Sequence, residues 1–121
     1  MKKLLILLIL IVIVGLFYII RQPEEFPTTN IEASKALNKL EQSDKKIVNV
    51  GTSKGSRWYL THFDKGEGQK RFIKEMENQG WIYIKQEGSG ILFEKSDQEL
   101  KTTCVIWNSK YNVCNAPLVK K

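Results

Sequence analysis

A chain of 121 residues, 26% of them charged and 42% hydrophobic, has room for one small folded domain of about ninety residues beside a membrane segment and a linker. The formal charge of +6 does not mark a basic domain: of 19 Lys and Arg, five (Lys2, Lys3, Arg21, Lys120 and Lys121) sit at the ends, which leaves 14 against 13 Asp and Glu between Gln22 and Val119. Nucleic-acid binding needs a cationic face to neutralise phosphates, so that class of partner is excluded.

Leu4 to Ile20 reads LLILLILIVIVGLFYII, 17 residues without a charge. At 1.5 Å per residue such a helix is about 25 Å long, near the short end of what crosses a hydrocarbon core of about 30 Å. Lys3 and Arg21 can extend to the headgroups, and Tyr18 suits the interface. A cleaved signal peptide needs a shorter apolar core followed by small residues, whereas Phe17, Tyr18, Ile19, Ile20 and Arg21 are bulky. No cysteine lies near the end of the run to carry a lipid. Residues 1–21 therefore read as an uncleaved transmembrane anchor, held in the lipid bilayer through residues 4–20. Lys2 and Lys3 precede the run, and Arg21 follows it with Glu24 and Glu25 close behind. This bias predicts a single-pass cell-membrane protein with a cytoplasmic N-terminus and an extracytoplasmic C-terminal domain.

Residues 22–30 contain Pro23, Glu24, Glu25 and Pro27 and read as a short extended linker, with the domain over 31–121. A helix is expected to start near Thr29, where Thr29 and Glu32 have capping-box spacing, and to bury Ala33, Ala36, Leu37 and Leu40 on one face. Residues 47–53 and 57–63 form a hairpin turning at Lys54-Gly55-Ser56. A second helix is predicted over 65–79, capped by Asp64 with Glu67, burying Phe72, Ile73 and Met76 and stopping at Gly80. Strands over 81–87, 91–95, 100–107 and 111–116 follow, the first two joined by a Gly88-Ser89-Gly90 turn, and their short connections make sequence neighbours sheet neighbours.

Cys104 and Cys114 are the only cysteines and flank the last hairpin. A turn centred on Ser109 sets Trp107 opposite Tyr111, Val105 opposite Val113 and Cys104 opposite Cys114, which brings the sulfurs together as a disulfide worth about 2–3 kcal/mol in the chain-entropy model. The alternative is a pair of reduced thiols. The same register puts Val105, Trp107, Tyr111 and Val113 on one side and Cys104, Ile106, Asn112 and Cys114 on the other. Two cysteines and the single His62 cannot supply a four-ligand metal site.

The fold class expected is α+β: an N-terminal transmembrane helix, then a small antiparallel sheet with one or two helices packed on one face. The order of strand, helix and four meandering strands resembles the cystatin-like arrangement, in which a sheet wraps a single helix. The resemblance is one of element order, and no cystatin motif accompanies it.

Chemistry is sparse. His62 ends a strand with no free nucleophile to partner it and no G-x-S-x-G elbow in the chain, so it reads as a structural or surface residue. Gly66-Glu67-Gly68 precedes a helix, where amides can hold an anion, but it lacks the Gly-Lys-Ser/Thr ending of a nucleotide loop. No catalytic, metal or cofactor-binding residue is assigned, and no cofactor is expected.

Trp58, Trp81, Tyr83, Trp107 and Tyr111 all fall on strands, and alternation cannot place them all on the face shared by Leu60, Ile82 and Ile84. They are the candidate protein interface. The rival readings are that they close the edges of a small core or touch the nearby membrane. The function expected is a membrane-anchored extracytoplasmic binding or regulatory module, an accessory protein of a cell-envelope complex with a protein partner and an open oligomeric state. The alternatives are a small envelope enzyme whose acid/base groups are dispersed in sequence, and a wall-polymer (polyanion) binding protein.

Overall fold

In the computed structural model, residues 1–20, 25–28 and 30–119 are described, the side chains of 19 and 20 excepted. Part of the expected linker, together with Arg21 and the Thr29 of the expected capping box, lies outside the described residues.

The first helix, α1 (Lys2–Ile20), has no polar stripe. From Leu4 to Tyr18 each large apolar side chain is at least 51% exposed. Among the described residues no helix is long and apolar enough to cross a membrane; the described side chains of α1 end at Tyr18.

Two further helices, α2 (Ala33–Gln42) and α3 (Glu67–Asn78), accompany strands β1 (Ile47–Ser53), β2 (Ser56–His62), β3 (Ile82–Glu87), β4 (Gly90–Lys95), β5 (Gln98–Trp107) and β6 (Tyr111–Pro117). The strands form one antiparallel sheet in the order β1-β2-β6-β5-β4-β3. The protein is α+β, as its alternating and helical periodicities require. Tight turns set the hairpins. Lys54 and Gly55, and again Ser96 and Asp97, take the paired left-handed conformation of two-residue hairpin loops, whose twist matches that of the strands they join.

Alternation along β2 and β6 divides the core in two. Tyr59, Cys114 and Ala116 point to the face covered by α3, where Phe72 and Met76 meet Ile91, Phe93, Leu100 and Cys104. Trp58, Leu60 and Val113 point to the other face, where Ala36 and Leu40 of α2 pack with Val48 and Trp107. The expectation of helices on one face is thus corrected. Adjacent strand residues on β2 and β6 are apolar in both directions, so both faces of that half of the sheet need cover.

Residues 25–28, expected in the linker, complete the cover over the second face. Phe26 is 6% exposed and meets the rings of Trp58 and Trp107 edge-on, at 6.3 and 5.3 Å between centroids. Thr28 Oγ1 lies 2.6 Å from Ser53 Oγ, both side chains buried.

The helix stripes agree with their spacing, but the starts shift. Glu32 is the residue before α2 and makes no side-chain capping bond. A 3₁₀ turn over Asp64–Gly66 precedes α3, so Asp64 does not cap it.

Candidate binding surfaces

In the last hairpin the register is the one the turn at Ser109 requires: Cys104 faces Cys114, Val105 faces Val113, Ile106 faces Asn112 and Trp107 faces Tyr111. The sulfurs of Cys104 and Cys114 lie at disulfide distance, 2.03 Å. Both are buried beneath α3.

The five candidate interface aromatics part company. Trp58 and Trp107 are buried walls of the Phe26 socket. Each donates its indole N–H across 3.0 Å, Trp58 to the Ser53 carbonyl and Trp107 to the Glu25 carbonyl, so their polar tips are satisfied inside the fold. Tyr111 is half-buried, with ring centroids 5.5 Å from Trp107 and 5.2 Å from His62. Trp81 is buried against α3, and Tyr83 is 40% exposed while resting on Phe93, 6.2 Å between centroids. The structure therefore brings Trp58 and Trp107 together at one site and leaves Trp81 and Tyr83 at another.

That second site lies at the C-terminal end of α3. A recess of about 460 Å³ is lined by Tyr59, Met76, Trp81, Lys95, Leu100 and Ala116, with Arg57 at its rim. Gln79 holds one wall: its Nε2 donates to the Tyr59 hydroxyl at 3.0 Å, and its backbone oxygen accepts from Lys95 Nζ at 2.9 Å. The Lys95 ammonium is thereby held 5.4 Å from the Trp81 ring centroid, within cation–π range.

Beside the recess runs β3, an edge strand exposed along its length. Ile82, Tyr83 and Ile84 are exposed there, and a register shift between Tyr83 and Lys85 interrupts pairing with β4. Lys85 and Glu87 form an ion pair at 2.9 Å on the same strand. Their mutual hydrogen bond, then their mutual charge, raises the Lys85 ammonium and lowers the Glu87 carboxyl from their ordinary pKa values.

A separate recess, of about 520 Å³, opens at the end of the sheet that carries the β5–β6 turn, lined by Lys46, His62, Asp64, Arg71 and Lys110. Arg71 Nη2 donates to Asp64 Oδ2 at 2.7 Å, and its Nη1 donates to the His62 carbonyl at 3.2 Å.

In the glycine loop before α3 the Gly66 and Gly68 amides are taken up within the fold. The amides of Gly66 and Gly68 both donate to the Phe63 carbonyl, at 3.0 and 3.2 Å. Gly68 serves packing: a Cβ there would collide with Asn112 Oδ1 and approach the His62 carbonyl to 2.6 Å. Among the described residues no three His, Cys, Asp or Glu side chains converge.

No family model, curated protein or solved structure matches this chain.

Sequence reasoning missed Phe26, Arg57 and Lys95. Phe26 sits between acidic residues and prolines, where composition indicates a spacer. Lys95 acquires its place over Trp81 only through the β3–β4 hairpin and the end of α3.

Proposed function

We propose that this chain is a membrane-tethered extracytoplasmic binding module, an accessory protein that engages a protein of the cell envelope through β3 and the Trp81 recess beside it. The uncovered apolar surface of α1 carries the reading. A rod with large aliphatic side chains exposed on every side is unfavourable in water, and burying them in hydrocarbon gains several kcal/mol on the insertion scale, at about 0.3–0.6 kcal/mol for each Leu, Ile, Val or Phe. The 17 uncharged residues from Leu4 to Ile20 span about 25 Å at 1.5 Å per residue, near the short end of what one crossing needs, with Lys2 and Lys3 free to extend to the headgroups. Those lysines support a cytoplasmic N-terminus.

Binding rather than chemistry is supported by the form of the second site. Its floor is Trp81, Met76 and Leu100, its rim Arg57 and Lys95, and its neighbour a strand with open backbone groups. Such a surface suits an extended segment that adds to β3 and carries apolar and acidic side chains, the backbone bonds giving affinity and the recess giving selection.

Photo-crosslinking in native membranes tests the reading. A crosslinker at Tyr83 is expected to capture one recurrent protein, less of it when Lys95→Glu reverses the rim. Lipid adducts alone would refute the binding surface. Release of the chain by alkaline carbonate would refute the tether, and complete resistance of the domain to protease added to intact cells would refute the orientation.

A further inference from the structure

Resting on the tether reading, we propose that the recess formed by Lys46, His62, Arg71 and Lys110 is a docking surface for anionic phospholipid headgroups of the leaflet from which the domain emerges. The first observation is where the chain enters the domain. The Glu25 carbonyl accepts from the Trp107 indole, and Trp107 pairs with Tyr111, which in turn pairs with His62. The entry point thus lies in the same row of the sheet as His62, and Lys46 immediately precedes the strand that pairs with β2 at Thr61.

The second observation is tether length. Four residues separate Ile20, the last of α1, from Glu25. At about 3.6 Å per residue the connection spans at most about 18 Å. A helix embedded to Ile20 therefore holds Glu25, and with it the Trp107 end of the row, within about 18 Å of the helix end.

The third is charge. Asp64 is the recess's carboxylate, and Arg71 already neutralises it at 2.7 Å. Lys46 and Lys110 form no ion pair among the described residues, and nor does the neighbouring Lys45. Two lysines and an exposed imidazole thus remain for a phosphate, with the Arg71 fork fixed between them by the Thr61 hydroxyl and His62 carbonyl. Lysines close to an anionic surface each strengthen attachment several-fold.

The full chain, reconstituted into vesicles, allows a direct test. A fluorophore on Ser109→Cys reports this end of the sheet, and one on Lys54→Cys the opposite end. Lipid bearing a quencher on its headgroup reads proximity. In phosphatidylglycerol-rich vesicles quenching at position 109 is expected to exceed that in phosphatidylcholine vesicles about threefold, to fall back with Lys46→Glu plus Lys110→Glu, and to weaken in high salt. Position 54 is expected to respond to neither lipid. Equal quenching at position 109 in both lipids, or no effect of the two reversals, would overturn the proposal while the tether stands. Equal quenching in both lipids, together with inorganic phosphate binding by the detergent-solubilised chain that the two reversals abolish, would assign the recess to a soluble anion and overturn it equally. Loss of the chain from carbonate-washed vesicles removes the tether reading itself and the proposal with it, and is scored before any fluorescence is read.

Discussion

Trp107 donates its indole N–H to the backbone oxygen of Glu25 at 3.0 Å, joining residues 82 positions apart. This bond fixes the point at which the chain leaving α1 meets the sheet. It also starts a strap that runs by way of buried Phe26 to the Thr28–Ser53 contact at the far end of the same face. Glu25, Phe26 and Thr28 are thus part of the packed fold.

The strap makes a stability prediction. Phe26→Ala empties a socket between two tryptophans and is expected to destabilise the domain by about 3–5 kcal/mol, the usual range for a buried Phe. Trp107→Phe keeps most of the packing but leaves the Glu25 carbonyl without its donor, with an expected cost of about 1–2 kcal/mol. Urea unfolding of the detergent-solubilised chain measures both. A cost below about 1 kcal/mol for Phe26→Ala would mean that the strap is peripheral.

At Gly68 the sign of the effect is diagnostic. Gly→Ala inside a helix ordinarily stabilises by about 0.5–1 kcal/mol. Here the added Cβ meets the Asn112 amide and the His62 carbonyl, and Gly68→Ala is expected to cost about 1–3 kcal/mol instead. Asn112 is fully buried, and neither amide atom of its side chain finds a hydrogen-bond partner among the described residues, so Asn112→Ala is expected to change stability by less than about 1 kcal/mol. In that background the cost of Gly68→Ala should fall by about half, because one of the two obstacles has gone while the backbone one remains. Additive costs in a double-mutant cycle would show that the two side chains do not touch.

Those cases mark where sequence reading succeeds and where it stops. The Cys104–Cys114 register is legible because a short turn and a period of two leave one arrangement that puts both sulfurs on one side. The stripes of α2 and α3 are legible for the analogous reason at 3.6 residues. The pairing of β2 with β6 is not, since nothing local to Tyr59 names Cys114 as its partner. That one long-range pairing decides the rest. It places apolar residues on both sides of the sheet, sends α2 and α3 to opposite faces, and turns Trp58 and Trp107 from exposed aromatics into a socket for Phe26. Trp81 and Tyr83 are legible as unusual, but the recess beside them depends on Gln79, at the end of α3, lying against the sheet.

The buried disulfide closes a loop with a sequence separation of 10. Replacing Cys104 and Cys114 together by Ala is expected to lower stability by about 2–3 kcal/mol, and a reductant should do the same to the native chain only after the domain has opened. Thiol labelling of the native chain should be negligible without reductant and slow with it. Rapid labelling in native conditions without reductant would mean that the sulfurs are not joined.

The Lys85–Glu87 pair provides a pH signature that is read locally. Its hydrogen bond favours both charged forms, lowering the Glu87 carboxyl and raising the Lys85 ammonium. For Glu87 the folded value lies below the unfolded one. Its contribution is therefore fully present above the ordinary carboxylate range and is lost as pH falls through the lowered value. For Lys85 the order reverses: the contribution is present below the ordinary ammonium range and is lost as pH rises through the elevated value. Both groups are exposed, so salt should narrow the effect at each end. Lys85→Ala removes the donor, and the Glu87 carboxyl, followed by its side-chain carbon resonance in an NMR titration, is expected to move up toward the ordinary Glu range. Glu99 and Lys101, the secondary charges on the pair, act oppositely on it, Glu99 raising Lys85 and Lys101 lowering Glu87. An unmoved Glu87 titration in Lys85→Ala would therefore assign its shift to Lys101, and Lys101→Ala is the variant that separates the two.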